Sequence, residues 1–126
     1  MENPLFKKCA KHINKKKLKE TLIDLVDIPS PTSGEKALAE YLVNRMAIAG
    51  ARTTLQEVSL DRPNAIGTIS GNGTGSNLMF TGHMDTSYDG NEDYLVGEGF
   101  KPKGVYKDGW IWGLGANNMK GGLASA

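Results

Sequence analysis

The sequence predicts an α/β domain in which two helices are followed by strands and turns. The first observation behind this prediction is the hydrophobic period, which is helical up to about residue 49 and alternates afterwards. The second is the glycine distribution, because 14 of the 16 glycines lie at or beyond Gly67. Short strands joined by glycine-rich turns are typical of such a second half.

The first predicted helix spans residues 14–27. Pro29 disfavours helical backbone at the residue before it, so the helix is expected to end near Asp27 and to leave residues 28–32 as an extended connector. The lysines of this segment occupy the other side of the helix from its apolar face. The residues that form this apolar face are Leu18, Leu22, Leu25 and Val26.

The second predicted helix spans residues 34–49. Thr32 and Glu35 have the spacing of a capping box, in which each side chain accepts from a free backbone N–H of the first turn. Gly50 is a natural residue to follow the last turn, since glycine readily adopts a positive φ. The apolar stripe of this helix is formed by Ala37, Leu38, Tyr41, Leu42 and Met46.

Strands are predicted beyond this helix. Residues 53–59 alternate, with Val58 one step out of phase, and residues 65–69 form a second candidate. The Gly-, Asn- and Ser-rich residues 70–77 predict a hairpin-type loop. A short apolar run over residues 77–81 is typical of a strand that is buried on both faces.

A candidate site follows this run, in Gly82-His83-Met84-Asp85-Thr86. Ligand-binding groups of α/β sheets lie where strands end. A neutral imidazole binds a metal through one nitrogen while the other nitrogen keeps a proton for a partner, and Asp85 is placed to be the partner of His83. The alternative interpretation is a surface turn whose His and Asp have no special role.

A second glycine-rich turn, residues 113–122, follows a turn and short strand predicted over residues 106–112. A helix is expected to begin near Met119. The turn is neither a P-loop, because Lys120 precedes its glycine, nor a dinucleotide-binding turn, because the glycine spacing is wrong. Taken alone, it is equally typical of a flexible loop.

Together the two motifs resemble those of the M20 zinc metallopeptidases and deacylases, a group that includes acetylornithine deacetylase, succinyl-diaminopimelate desuccinylase, aminoacylase and glutamate carboxypeptidase. The resemblance covers nearly the whole chain, through residues 25–35, 62–67, 82–86 and 112–122. It implies that residues 1–126 are the truncated N-terminal portion of a three-layer α/β/α catalytic domain. The C-terminal half of that domain, and the lid or dimerisation domain through which such proteins form homodimers, would be absent.

The resemblance also implies roles for individual residues. His83 would be a zinc ligand, and Asp85 would have the catalytic role of orienting His83 and influencing the pKa of the metal-bound water. Position 118 would supply a carboxylate that bridges two zinc ions, but Asn118 is found there. An amide offers one neutral carbonyl oxygen where a carboxylate has two anionic ones. We therefore expect one zinc ion, or a weakened second site, with cobalt or manganese as other candidates.

The implied activity is hydrolysis of an amide bond in an N-acyl amino acid or a small peptide by metal-activated water. In the family, the glutamate general base and the remaining ligands lie further along the chain, so the 126 residues alone are expected to be inactive. The alternative function is a non-catalytic metal- or peptide-binding relative with a degraded binuclear site. The sequence leaves open whether Asn118 is native or an inactivating change.

Composition excludes several other classes. The formal net charge of +1 argues against a globally basic nucleic-acid binder. Seven lysines among residues 1–20 favour a solvated helix face, with an RNA- or membrane-docking arm as the weaker alternative. Cys9 is a single thiol and cannot form an internal disulfide. Without an apolar span or signal peptide, a cytoplasmic protein with no nucleic-acid or membrane partner is expected.

Overall fold

The computed structural model of the protein describes residues 3–126. Helices and strands are mixed along this part of the chain, as the sequence predicts. The α-helices are α1 (Pro4–Ala10), α2 (Lys15–Asp27), α3 (Lys36–Ile48) and α4 (Gly121–Ser125). The strands are β1 (Arg52–Ser59), β2 (Arg62–Thr68), β3 (Val105–Lys107) and β4 (Trp110–Trp112). A 3₁₀ turn spans Glu98–Phe100, and an irregular helical turn spans Ala116–Lys120.

Local capping determines where the two main helices begin and end. Asn14 caps α2, because its side-chain oxygen accepts from the backbone N–H of Lys17 at 3.0 Å. At the end of α3, Gly50 has a φ of 93°, and its N–H donates to the carbonyl of Ala47 at 2.9 Å. Both helices and the role of Gly50 are therefore confirmed, within one or two residues at each end.

The capping box predicted for α3 is wrong. Glu35 makes no capping hydrogen bond, and its carboxylate instead pairs with Arg62, whose Nη2 lies 2.7 Å from Oε1. The hydroxyl of Thr32 donates to Asp85 rather than to the helix. The chain also makes a tight turn here, with Ser33 at a φ of 77°, which separates Thr32 from the helix start. Both side chains therefore bond to residues that are distant in the sequence instead of capping the helix.

Strands β1 and β2 form an antiparallel hairpin against which α3 packs. The pairing shifts between Glu57 and Ser59, which leaves Val58 in a bulge. This bulge is the reason for the out-of-phase position of Val58 in the sequence pattern. Strand β2 begins at Arg62, three residues earlier than predicted. Strands β3 and β4 form the second, shorter hairpin.

The prediction of a buried strand over residues 77–81 is also wrong. This segment has no regular secondary structure, and Leu78, Met79 and Phe80 are 70–82% exposed. A buried strand needs neighbours on both edges and on both faces. Among residues 3–126 no backbone group pairs with this run, so its apolar composition alone does not make it a strand.

The buried centre of the fold lies between the helices and the turns that carry the candidate site. Helix α2 packs against α4, the turn before α4, and β4. In the part of the chain that is described, no helix is both long and apolar enough to cross a membrane. The buried apolar side chains are Leu25, Val26, Leu38, Ala39 and Leu114.

Candidate metal centre

The connector between α2 and α3 holds the turn that carries His83. Pro31 and Thr86 form an isolated parallel bridge. The N–H of Thr86 donates to the carbonyl of Ser30 at 2.8 Å, and the N–H of Thr32 donates to the carbonyl of Thr86 at 3.1 Å. The hydroxyl of Ser30, which is fully buried, donates to the carbonyl of Met84 at 2.8 Å. The proline-stiffened connector therefore fixes both ends of the Met84–Thr86 segment.

The same connector also anchors the second turn. Lys120 is 2% exposed, and its Nζ donates to the carbonyl of Ile28 at 2.8 Å. Burial lowers the pKa of Lys120 to about 8, because removal from water disfavours the charged amine. Gly115, at a φ of 79°, turns the chain beside Thr86, and a Cβ there would lie 2.8 Å from the Thr86 methyl group. The two turns are thus held on one scaffold.

The turns meet at His83 and Asn118. Nε2 of His83 lies 3.0 Å from Oδ1 of Asn118. The backbone N–H of His83 donates to the side-chain sulfur of Met119 at 3.3 Å, which joins the two turns beside this contact. The peptide bond between Asn118 and Met119 is cis. Two residues 35 positions apart in the chain thereby place polar atoms against each other.

Asp85 contacts the other nitrogen of the imidazole ring. Nδ1 of His83 lies 3.1 Å from Oδ1 of Asp85 and 3.1 Å from its backbone carbonyl oxygen. The second carboxylate oxygen accepts from the hydroxyl of Thr32 at 2.8 Å. Thr32, Asp85 and His83 therefore form a chain of side chains that ends at Asn118. The His83 side chain is 45% exposed, so its ring remains open to solvent.

The surrounding groups shift the pKa values of His83 and Asp85. The contact with Asn118 raises the pKa of His83, and the carbonyl and carboxylate of Asp85 add to this effect against the opposing influence of partial burial. The Thr32 hydroxyl lowers the pKa of Asp85, with further help from His83 and again against burial. Hydrogen bonds to the charged form account for both directions.

Every oxygen around the His83 ring is an acceptor. The ring nitrogens face the carbonyl and carboxylate of Asp85 on one side and the Asn118 carbonyl on the other. A carboxylate is the stronger acceptor, so the single proton of a neutral ring belongs on Nδ1. With the Asn118 oxygen turned towards Nε2, two lone pairs face each other, and a second proton or a metal ion between them would stabilise this arrangement. A half-turn of the Asn118 amide would instead place its N–H₂ as a donor to Nε2.

The distance between these atoms suits two neighbouring ligands of one metal ion. Ligand atoms bound about 2.0–2.1 Å from zinc at the tetrahedral angle are about 3.3 Å apart, close to the 3.0 Å between Nε2 of His83 and Oδ1 of Asn118. The set is incomplete, because within residues 3–126 no three His, Cys, Asp or Glu side chains group as metal ligands. The geometry therefore provides two ligand atoms for such an ion, Nε2 of His83 and Oδ1 of Asn118.

All three residues singled out by the sequence, His83, Asp85 and Asn118, lie in this cluster. Thr32 and Lys120 also take part in holding this cluster, and neither has a predicted site role in the sequence. In the sequence, the position of Lys120 in a glycine-rich turn is the one feature that sets this lysine apart. For Thr32 the sequence predicts only a place in the capping box with Glu35.

Comparison with known proteins assigns no family: no protein-family model matches the chain, and no solved structure matches it significantly. A functional assignment therefore depends on the geometry of this cluster and on the motifs themselves.

Proposed function

We propose that the protein is a metal-dependent amide hydrolase of the M20 type, of which these residues form the N-terminal part of a three-layer catalytic domain. The observation that carries the proposal is the convergence of His83 Nε2 and Asn118 Oδ1 at 3.0 Å. Further support comes from Asp85, which holds the opposite ring nitrogen as metal-binding histidines require. The substrate class is an N-acyl amino acid or a small peptide.

In this proposal His83 and Asn118 bind one ion, preferably zinc, with cobalt or manganese as substitutes. When bound, the metal supplies an acidified water and polarises the amide carbonyl. Asp85 keeps the His83 proton on Nδ1, so that Nε2 stays available. In this proposal the proton shuttle and the other ligands come from outside this cluster, since within residues 3–126 no three His, Cys, Asp or Glu side chains group as metal ligands.

One metal ion is proposed rather than two because Asn118 is neutral. Two divalent ions about 3.5–4 Å apart repel by on the order of 20 kcal/mol at an effective dielectric constant of about 20. A bridging carboxylate offsets much of this repulsion, whereas an amide oxygen carries no net charge. Position 118 therefore decides how many ions the site holds.

The same neutral amide favours a second candidate, a relative that binds one metal ion or a peptide without hydrolysing it. The two candidates differ in turnover by the complete protein and in metal number. Two tightly bound ions per chain would exclude the non-catalytic relative. The 126-residue chain by itself is expected to show no turnover of N-acyl amino acids, and metal-dependent turnover by it would contradict the proposal that the general base comes from another part of the domain.

Equilibrium dialysis against zinc followed by metal analysis tests the proposal. Since two ligand atoms converge at this site, we expect weak binding of at most one ion per chain, lost in His83→Ala and retained in His12→Ala. His12 is the matched control because it is the other histidine of the chain and lies in the exposed segment between α1 and α2. Equal zinc binding by the His83→Ala variant would refute the assignment of this site.

A further inference from the structure

The hydroxyl of Thr32 is aimed at Asp85 by its backbone. The N–H of Thr32 donates to the carbonyl of Thr86, the residue directly after Asp85, at 3.1 Å. This bond and the Pro31 bridge fix the main chain of Thr32 beside the His83 turn. A β-branched side chain has few accessible χ1 rotamers, so a fixed backbone limits the hydroxyl to a few positions, one of which reaches Asp85.

The hydroxyl has one proton and two acceptors within reach. It lies 2.8 Å from Oδ2 of Asp85 and 3.5 Å from the carbonyl oxygen of Thr86. The shorter bond to an ionised acceptor is the stronger one, so the proton is donated to Asp85. Thr32 is the one side chain that the described hydrogen bonds assign to Oδ2.

The two oxygens of Asp85 therefore have different partners. Oδ2 is held by Thr32 and Oδ1 faces Nδ1 of His83. Rotation of the carboxylate would break both contacts together. The Asp85 side chain is 32% exposed, so without Thr32 water would compete for Oδ2 and leave the carboxylate free to turn.

We propose that Thr32 is a positioning residue, whose hydroxyl orients the Asp85 carboxylate so that the neutral His83 ring keeps its proton on Nδ1 and presents Nε2 to a metal ion. The effect on metal binding rests on the proposed function, whereas the effect on the His83 proton does not. Loss of a partner of this kind beyond the direct ligands typically costs 10–100-fold in metal affinity. Because the backbone carbonyl of Asp85 still accepts from Nδ1, the lower end of that range applies.

The test compares three variants. Thr32→Val removes the hydroxyl and keeps the branched shape, while Thr32→Ser keeps the hydroxyl. Ser30→Ala is the matched structural control, since Ser30 is fully buried on the same connector and its hydroxyl donates to the Met84 carbonyl instead of to Asp85.

The first readout is the proton position on the His83 ring in the metal-free chain, measured from the ring ¹⁵N shifts at a pH where the ring is neutral. With two histidines in the chain, His12 provides an internal reference. We expect the proton on Nδ1 in the parent and in Thr32→Ser, and a clear shift towards Nε2 in Thr32→Val. Ser30→Ala should lower stability and leave the ring nitrogens unchanged.

The second readout is the zinc dissociation constant, which we expect to rise roughly tenfold in Thr32→Val and to stay within about twofold of the parent in Thr32→Ser. Unchanged ring shifts in Thr32→Val, failure of Thr32→Ser to restore them, or the same shifts in Ser30→Ala would overturn the positioning role. If Thr32→Val moves the proton but the parent binds no zinc, the positioning role is supported and the proposed metal function fails.

Discussion

The contact between Tyr41 and Asp24 provides the sharpest test of how the two main helices are held together. The Tyr41 hydroxyl on α3 donates to Oδ2 of Asp24 on α2 at 2.7 Å. Asp24 lies one helical turn before the connector that holds both site turns, so this bond stabilises the scaffold of the site. Substitution of Tyr41 by Phe removes the hydroxyl alone.

The structure sets the size of the expected effect. Burial raises the pKa of Tyr41 to about 12, with the Asp24 hydrogen bond and charge acting in the same direction. A hydrogen bond to an ionised acceptor contributes about 1.5–3 kcal/mol. Tyr41 is only partly buried and Asp24 is exposed, so solvent screening reduces the expected loss of unfolding free energy in Tyr41→Phe to about 1 kcal/mol.

The stabilisation by the Tyr41 hydroxyl should decrease as pH rises. Below pH 10 the Tyr41 phenol is protonated in both the folded and the unfolded state, so its hydrogen bond contributes fully to the free energy of unfolding. Between pH 10 and about 12 the unfolded chain binds fewer protons than the folded chain, so the contribution falls as pH rises and is lost above that window. The difference between the parent and Tyr41→Phe should therefore shrink over this range.

Urea unfolding followed by tryptophan fluorescence measures the difference, with Asp24→Asn and the double variant completing a mutant cycle. The cycle should give a coupling of about 1 kcal/mol near neutral pH. Equal stability of the parent and Tyr41→Phe would show that the hydrogen bond does not stabilise the fold. A stability difference that stays unchanged as pH rises from 10 to about 12 would contradict the raised pKa of Tyr41.

Three further predictions concern the core, the Glu35–Arg62 pair and the candidate metal site. Leu25 is fully buried, so Leu25→Ala should cost about 2–5 kcal/mol of unfolding free energy in urea, and a loss below 1 kcal/mol would contradict the buried position. Burial raises the pKa of Glu35, but the bond from Arg62 and nearby backbone N–H groups outweigh it and hold the pKa below its ordinary 4.5. Stability should therefore fall on acidification below pH 4.5, and less steeply in Glu35→Gln, as acid titration would measure; equal slopes would contradict it. Asn118→Asp should lower the zinc dissociation constant roughly tenfold or more by adding a ligand charge, and an unchanged constant in a competition titration would place the metal elsewhere.

Much of the helical part of the fold could be predicted because its signals are local. The apolar face of α2, the proline after it and the left-handed Gly50 act within a few residues of the positions that they determine. Helix α1 was missed although its signals are present, since Asn3 caps it and Pro4 occupies its first turn. Helix α1 has only seven residues, which is too short for a helical hydrophobic period to show in the sequence.

The errors arose where distant residues decide the outcome. Residues 77–81 have the composition of a buried strand, but composition does not report whether neighbouring strands are present. Glu35 has the spacing of a helix cap, but Arg62, 27 positions away, takes its carboxylate. A single sequence carries no direct record of such pairings.

In the candidate site, too, local contacts could be predicted from the sequence and long-range contacts could not. The pairing of His83 with Asp85 follows from their spacing and could be predicted from the residues. The approach of Asn118 to His83 was expected only from the family resemblance, because the two turns are joined through the connector and not through local sequence. The roles of Thr32 and Lys120 depend entirely on that connector and required the structure.

A crystal structure of the chain grown with zinc, with anomalous scattering measured at the zinc edge, tests the proposed metal site most directly. We expect an anomalous peak within bonding distance of both His83 Nε2 and Asn118 Oδ1, with Nδ1 of His83 still on Asp85. A zinc peak at His12 or Cys9 with none between His83 and Asn118 would contradict it.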